Sequence, residues 1–210
     1  MLDPLERWRR YGEKPDFAGL LTYGGQPYTE DPAELTGADV AIVGAPTDDL
    51  VSDRPGTRYG PRAIRAASCP PGPHLEVGVD AFEALRIVDF GDAPVLPADP
   101  LRTHQAIEAI VAQVLGAGAL PVVLGGDHSI TEPDVRACAA GGPVGLIHFD
   151  THTDTGTEVF GVELVGADVV EVIPTAVGSA DITALAADRV VREILTGLAL
   201  ARRDASLSAE

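Results

Sequence analysis

The stretch Gly145-Leu-Ile-His-Phe-Asp-Thr-His-Thr-Asp-Thr-Gly156 decides the fold and the chemistry of this chain. It begins as a short apolar run, which predicts a buried strand of a parallel sheet at Gly145–Phe149. Side chains alternate along an extended chain, so Asp150, His152 and Asp154 share one side of it. Ligands of open α/β sheets bind just beyond the carboxyl ends of the strands. The stretch therefore predicts half of a metal site.

A second stretch, Leu120-Pro-Val-Val-Leu-Gly-Gly-Asp-His-Ser-Ile130, has the same organisation. Its apolar first half predicts a strand, and the two glycines that follow allow a sharp turn of the backbone before His128. Ser129 or Thr131 would then cap a helix that begins near Glu132. If the two strands are near neighbours, His128 converges with the acids and the histidine of the first stretch.

Each of the two stretches, taken alone, is also compatible with an ordinary surface turn. Four ionisable groups at two apolar strand ends would, however, cost several kcal/mol to desolvate without a partner. A metal ion held by His128, Asp150, His152 and Asp154 is therefore the favoured interpretation. Oxygen and imidazole ligands without a thiolate suit Mn better than Fe or Zn.

The composition is that of a single globular domain. The chain has 210 residues, of which 45% are hydrophobic and 22% are charged. Its 15 basic and 32 acidic residues give a net charge of −17, which argues against binding to nucleic acid or to an anionic membrane. The same field would favour a cationic substrate, although solubility alone is the favoured explanation of the charge.

The cysteine usage and the N-terminus predict a cytoplasmic protein. Cys69 and Cys138 are far apart in the sequence and show no metal-binding spacing, which fits a reducing compartment. The charged N-terminal segment lacks the apolar core of a signal peptide, and no apolar run approaches transmembrane length.

Alternating strand and helix patterns predict a parallel α/β sheet. Strands are expected at Val40–Gly44, Arg86–Phe90, Leu120–Leu124, Gly145–Phe149 and Ala167–Ile173, and helices at residues 61–67, 102–115 and 180–200. The last two strands lack a clear connecting helix, although parallel neighbours usually need one. Residues 1–37 are expected to form an irregular N-terminal arm and residues 203–210 a frayed tail on one domain, residues 1–210.

The sequence does not decide the roles of several basic side chains. His74 and His104 are expected to lie at the surface. Four arginines that cluster after the first strand either shape a pocket rim, pair with carboxylates across a subunit contact, or form solvated surface charge: Arg54, Arg58, Arg62 and Arg65.

These motifs together carry a family resemblance. Gly125-Gly-Asp-His-Ser129 and His148-Phe-Asp-Thr-His-Thr-Asp154 resemble the ureohydrolase family of arginases, agmatinases and guanidino-acid hydrolases. The loop Arg54–Arg65 and the segment Thr155–Gly161 resemble the agmatinase branch. The resemblance implies a three-layer α/β fold of the arginase type.

The resemblance also implies a reaction, a cofactor and an assembly. The family hydrolyses a guanidino group to urea and an amine at two Mn(II) ions per subunit, and its intact members form trimers or hexamers. It implies that His128, Asp150 and Asp154 would face one ion, and that Asp150 and His152 would face the other, with Asp150 bridging. Two metal ions lower the pKa of a bridging water and so supply the nucleophile.

The chain departs from the family pattern after Leu164. The resemblance runs from about Tyr11 to Leu164 and resumes in Gly166–Leu200. Between them the family has a strand ending in Asp-x-Asp, and elsewhere a further histidine and a guanidinium-recognising glutamate, none of which is identified here. We therefore expect missing interior strands, at most one Mn(II), and impaired hydrolysis of an unspecified guanidino-amine or guanidino-acid. The alternative is a non-catalytic metal-binding remnant or an assembly partner of a full-length ureohydrolase.

Overall fold

Four parallel strands form one sheet in the computed structural model, which describes residues 18–69, 72–144, 166–174 and 182–207. The strands are β1 (Val40–Ala45), β2 (Ile87–Asp92), β3 (Leu120–Gly125) and β4 (Ala167–Val169). Their order in the sheet is β2-β1-β3-β4, and every neighbouring pair is parallel. The carboxyl ends of the strands therefore meet at one edge, which is where the predicted site was expected.

Five helices accompany the strands in the described ranges. They are α1 (Gly60–Ala67), α2 (Ala81–Ala84), α3 (Pro100–Gly116), α4 (Thr131–Cys138) and α5 (Ile182–Leu207). Short 3₁₀ turns lie at Tyr23–Gly25, Pro32–Leu35, Thr57–Tyr59, His128–Ile130 and Ala139–Gly141. The start of α3 is set by Asp99, whose side chain accepts a hydrogen bond from the backbone N–H of Arg102.

The central strand β1 separates two apolar cores. All six of its residues are buried, and alternate side chains point to opposite faces of the sheet. Val40 and Ile42 belong to the core that contains the buried side chains of α1 and α5. Ala41 and Val43 belong to a core on the other face, which contains Val114 of α3. Helices on both faces of a parallel sheet confirm the predicted three-layer α/β architecture.

The first three predicted strands and all three predicted helices are confirmed, with ends that shift by a few residues. The predicted strand Gly145–Phe149 lies outside the described residues. The predicted strand Ala167–Ile173 was too long, because only Ala167–Val169 pairs with β3. Glu171 has a φ of 62°, so the chain leaves the extended conformation two residues after β4.

The C-terminal tail differs from its prediction. Helix α5 continues to Leu207, so residues 203–207 are helical where a frayed tail was expected. Ala201–Leu207 contains no glycine or proline and is rich in alanine and arginine, which favour the helix. No helix in the described parts of the chain is both long enough and apolar enough to cross a membrane.

The N-terminal arm is irregular where the structure describes it, from residue 18 to residue 37. It is nevertheless anchored, because Tyr23 is fully buried and its hydroxyl donates a 3.0 Å hydrogen bond to Asp188 Oδ1 on α5. Burial, and then the charge of Asp188, raise the pKa of the Tyr23 phenol far above its ordinary value. Tyr23 therefore acts as a neutral donor that ties the arm to the last helix.

The arginine cluster is resolved into different roles. Arg65 is buried and pairs within the domain with Asp89 and Asp92, so neither a solvated nor an intersubunit role describes it. Arg58 pairs with the buried carboxylate of Asp48 in the loop after β1. Arg54 is almost fully exposed, in agreement with surface charge.

His74 was expected to be exposed at the surface, but it is half-buried. Its side chain is 16% exposed, and its Nε2 lies 3.4 Å from Glu193 Oε1 on α5. The nearby Cys69 is exposed, and the Arg192 guanidinium lies 3.6 Å from its sulfur. These contacts fasten the turn-rich segment before β2 to the last helix.

Candidate active site at the carboxyl edge of the sheet

The loop after β3 is hydrogen-bonded to the loop after β1. The backbone N–H of Gly126 donates to the carbonyl of Ala45 over 3.2 Å, and the N–H of Asp127 donates to the carbonyl of Thr47 over 3.0 Å. These bonds continue the ladder between two neighbouring strands past their ends. The segment that carries His128 is therefore built on rigid backbone at the carboxyl edge.

Gly126 is required by close approach of two backbone segments. A Cβ atom at this position would lie 2.4 Å from the carbonyl oxygen of Ala45 and 2.6 Å from that of Thr47. Backbone oxygens at these distances cannot move aside as a flexible side chain could. Only a residue without a Cβ therefore allows this junction.

The replacement Gly126→Ala is expected to lower the free energy of unfolding by about 1–3 kcal/mol, because it overpacks this junction. Urea denaturation followed by circular dichroism measures the change. Gly141→Ala is the matched control, since a Cβ at Gly141 meets no atom within 4 Å. Equal stabilities of the two variants would contradict the assigned role of Gly126.

Asp127, rather than Ser129 or Thr131, caps the turn after β3. Its side chain is buried; Oδ1 accepts a 2.9 Å hydrogen bond from the N–H of Ser129, and Oδ2 accepts a 3.1 Å bond from the N–H of Leu50. The Thr131 hydroxyl instead donates to Asp168 of β4. The signal that predicts this cap is an aspartate two residues before the N–H that it accepts, as in an Asx turn.

His128 lies at the carboxyl edge, as the sequence predicted. His128 is half-buried and is the first residue of the 3₁₀ turn, directly after the capping Asp127. The other three predicted ligands, Asp150, His152 and Asp154, lie outside the described residues. Within the described ranges, no three His, Cys, Asp or Glu side chains come close enough together to hold a metal ion.

Glu171 contacts the turn that carries His128, and the sequence analysis did not predict this contact. Its carboxylate Oε1 accepts a 2.6 Å hydrogen bond from the backbone N–H of His128, and its own N–H donates to the carbonyl of Gly126 over 2.9 Å. The residue is exposed and has a positive φ, which is uncommon outside glycine. The available signal was an acid in the carboxyl-terminal half of the predicted strand Ala167–Ile173.

His104 also contacts this edge, although it was expected at the surface. Its Nε2 lies 2.9 Å from the Ser129 hydroxyl, and its Nδ1 lies 3.9 Å from Glu132 Oε2. The side chain is 20% exposed. His104 therefore connects the first turn of α3 to the turn that contains His128.

The loop after β1 contains a further carboxylate near the carboxyl edge, that of Asp48. Asp48 is buried, accepts a 2.7 Å hydrogen bond from the N–H of Gly56, and pairs with Arg58. Burial alone would raise the pKa of Asp48, but the bonds from Arg58 and Gly56 outweigh burial and lower it. The Asp48 carboxylate is therefore ionised and paired with Arg58, so its role is structural.

The sequence match agrees with this geometry. The model of the Arginase family matches residues 38–163 of the chain. The chain belongs to the arginase family. The guanidinobutyrase of Pseudomonas aeruginosa is 41% identical over 154 residues, which are 72% of this chain and 48% of the relative. The chain thus spans about half the length of the curated relatives it matches.

Solved structures of the family share the fold. A hypothetical agmatinase from Burkholderia thailandensis superimposes with a TM-score of 0.62 at 29% identity, over 89% of this chain and 67% of that one. The Mn²⁺-bound formiminoglutamase of Trypanosoma cruzi gives a TM-score of 0.51 at 26% identity, over 77% of this chain and 49% of that one. The match to the agmatinase extends beyond residues 38–163, so the arginase-type fold includes more of the chain than the family model matches.

Proposed function

We propose that this chain is an agmatinase-like protein that binds Mn(II) and a guanidino-amine or guanidino-acid, with impaired hydrolysis of the guanidino C–N bond to urea. The observation that carries the proposal is the hydrogen bond from the backbone N–H of His128 to the Glu171 carboxylate, just beyond two neighbouring parallel strands of an arginase-family sheet. The similarity to a guanidinobutyrase and to a hypothetical agmatinase supports the substrate class.

The proposed metal ligands are His128, Asp150, His152 and Asp154, with Asp150 in the bridging position. Their oxygen and imidazole donors, without a thiolate, fit Mn(II), and a structural relative contains Mn²⁺. The hydrogen bond from the His128 N–H to Glu171 helps to fix the turn that carries the imidazole. When bound, Mn(II) supplies a Lewis acid that lowers the pKa of a coordinated water.

Glu171 is the proposed binding residue for the guanidinium. Its Oε1 already accepts the N–H of His128, so Oε2 is the oxygen that would accept a guanidinium N–H. A guanidinium is planar and permanently charged, and it pairs strongly with a carboxylate. The sequence alone identified no such glutamate, because the position of Glu171 depends on how β4 docks beside β3.

The replacement Glu171→Gln is expected to raise the Kd of the Mn-loaded chain for agmatine by about tenfold to a hundredfold, since charge-assisted hydrogen bonds contribute about 1.5–3 kcal/mol. Glutamine keeps an oxygen that can accept the His128 N–H, so the turn is preserved. Isothermal titration calorimetry measures the affinity, with Glu76→Gln, a change at an exposed residue, as the control. An unchanged Kd in Glu171→Gln would refute the binding role.

The proposed partners follow from charge and family. The net charge of −17 favours a small cationic ligand and disfavours nucleic acid and anionic membranes. We also propose self-association and a cytoplasmic location. The unpaired cysteines Cys69 and Cys138 support a reducing compartment.

A non-catalytic role is the second candidate. It is favoured by the end of the family match at residue 163, after which the Asp-x-Asp of the family pattern is not identified in the sequence. In this role the chain binds metal without turnover, or associates with a full-length ureohydrolase. Binding of Mn(II) by the chain without any release of urea would distinguish this candidate from an active enzyme.

A further inference from the structure

His104 is the innermost member of a polar ladder between α3 and α4. The ladder consists of His104 and Glu108 on α3, four residues apart, and Glu132 and Arg136 on α4, also four apart. Arg136 pairs with Glu132 and lies 3.7 Å from Glu108, and His104 Nδ1 lies 3.9 Å from Glu132 Oε2. The side chain of His104 is 20% exposed, whereas the other three are 36%, 53% and 60% exposed. His104 therefore extends from the surface ladder toward the turn that carries His128.

Helix α3 contacts two consecutive residues of that turn. Ile130 is fully buried and shares an apolar core with Ile107 of α3. His104 precedes Ile107 by three residues, so the two side chains share a face of the helix. The Nε2 atom of His104 lies 2.9 Å from the Ser129 hydroxyl oxygen. Apolar packing thus holds the last residue of the turn against α3, and a polar contact holds its middle residue.

The other bonds to this turn hold its backbone. The N–H of His128 donates to Glu171 Oε1 over 2.6 Å, and the N–H of Ser129 donates to Asp127 Oδ1 over 2.9 Å. Both bonds would survive the loss of His104, because neither of them includes its side chain. What would be lost is the polar contact between the turn and α3. The contribution of His104 can therefore be separated from that of the two carboxylates.

The surroundings of the imidazole favour one direction for its hydrogen bond. The Glu132 carboxylate lies on the Nδ1 side of the ring and attracts the ring proton to Nδ1. A ring with its proton on Nδ1 presents Nε2 as an acceptor, to which the Ser129 hydroxyl donates. Glutamine at position 104 would reach as far from the backbone as Nε2 does, and its amide can bond to the same hydroxyl. Leucine would keep apolar bulk but could not form this bond.

The position of Ser129 matters because it directly follows His128. The two residues share one planar peptide unit, so a displacement of Ser129 also moves the backbone of His128. A functional side chain must be held within about half an ångström of its productive position. Groups that orient metal ligands without touching the metal change metal affinity by about tenfold to a hundredfold when they are removed.

We propose that His104 is a positioning residue, which holds the turn that carries the predicted metal ligand His128 through the hydroxyl of Ser129. His104 acts through Ser129 and is not itself proposed as a ligand. The inference rests on the proposed function for the metal that His128 would bind. Its structural part, the hold of His104 on the turn, can be measured without metal.

The first test is amide hydrogen exchange of residues 128–130 in the metal-free full chain, measured by NMR. His104→Leu is expected to increase the exchange rates by about threefold to tenfold, which corresponds to one hydrogen bond. Ser129→Ala is expected to give the same increase, and the double variant no further increase, because both changes remove the same contact. Glu108→Gln, a change in the same ladder one helical turn away from His104, is expected to follow the wild type.

Wild-type exchange rates in His104→Leu, or increases that add in the double variant, would overturn the proposal. If His104→Leu does not fold, the comparison uses Ser129→Ala, which removes a single oxygen atom. Unchanged exchange of residues 128–130 in Ser129→Ala would then overturn it.

The second test is titration with Mn(II) alone, followed by electron paramagnetic resonance. His104→Leu is expected to weaken binding by about tenfold, and His104→Gln to stay within about twofold of the wild type. Rescue by glutamine distinguishes the hydrogen bond from a general loss of packing. Equal affinities of His104→Leu and the wild type would overturn the positioning role. A wild type that binds no Mn(II) would instead refute the proposed function, and the exchange measurements would still decide whether His104 holds the turn.

Discussion

Replacement of Arg65 by alanine is expected to lower the free energy of unfolding by about 3–5 kcal/mol, because it strands a buried carboxylate. The Arg65 side chain is 7% exposed. Its Nε lies 2.8 Å from Asp89 Oδ2, one terminal nitrogen lies 2.9 Å from Asp89 Oδ1, and the other lies 2.6 Å from Asp92 Oδ1. This bidentate pairing joins α1 to the carboxyl end of β2.

The loss would fall mainly on Asp89, which is 1% exposed. Its remaining donors would be the N–H of Tyr23 at 2.7 Å and the N–H of Gly91 at 3.1 Å, neither of which carries a charge. Burial lowers the pKa of Arg65, but the two aspartates outweigh burial and raise it. The guanidinium is thus charged at every relevant pH, and its removal alone leaves the buried Asp89 carboxylate without a cation.

Urea denaturation at neutral pH measures the free energy of unfolding and so tests this prediction. Arg62→Ala is the matched control, because Arg62 lies on the same helix with an exposed side chain. Surface changes of this kind usually alter stability by less than about 0.5 kcal/mol. A destabilisation by Arg65→Ala no larger than that of Arg62→Ala would show that the buried network contributes no net stability.

Little or no urea is expected from agmatine or guanidinobutyrate when the chain is supplied with excess Mn(II). The reaction of the family is implied to use two ions, and catalytic pairs of this kind lie about 3.5–4 Å apart. Two dications at this separation repel each other strongly unless several carboxylates surround them. Among the four proposed ligands, only Asp150 and Asp154 are carboxylates.

Other acids near the edge do not remove this deficit. Asp48 is bound to Arg58, and Asp127 is engaged by two backbone N–H groups. Glu171 is proposed to bind the substrate, and Glu158 and Glu163 lie outside the described residues. The negative charge needed for two ions is therefore expected to be incomplete in this chain.

Urea release by the wild type is to be compared with Asp150→Asn, which serves as the blank. The two rates are expected to agree within error. Robust turnover that disappears in Asp150→Asn would contradict impairment, while it would support the guanidino hydrolase chemistry. It would also mean that further residues of the chain complete the metal shell.

The sequence predicted best those elements that depend on local pattern. The apolar runs at Val40–Gly44 and Leu120–Leu124 became buried parallel strands, and the apolar stripe of residues 102–115 became α3. The position of His128 followed from the same reasoning, since it comes directly after a strand. These features are set by neighbours in sequence, and burial alternation and turn residues make them visible.

The sequence could not predict partners that only the assembled sheet brings together. Arg65 and Asp89 are 24 residues apart, and their pairing depends on the register of β1 beside β2. Glu171 meets His128 over 43 residues, through a turn with a positive φ after β4. His104 meets Ser129 because α3 packs beside the turn after β3. For Arg65 and His104, a position at the solvated surface was the simpler interpretation of the local sequence.

Mn(II) binding by the purified chain tests the central claim most directly. Electron paramagnetic resonance titration of free Mn(II) gives the number of ions bound, for the wild type and for Asp150→Asn. We expect no more than one tightly bound ion per wild-type chain, and we expect Asp150→Asn to lose it. Two tightly bound ions per wild-type chain, or equal binding by the two proteins, would contradict the proposed site.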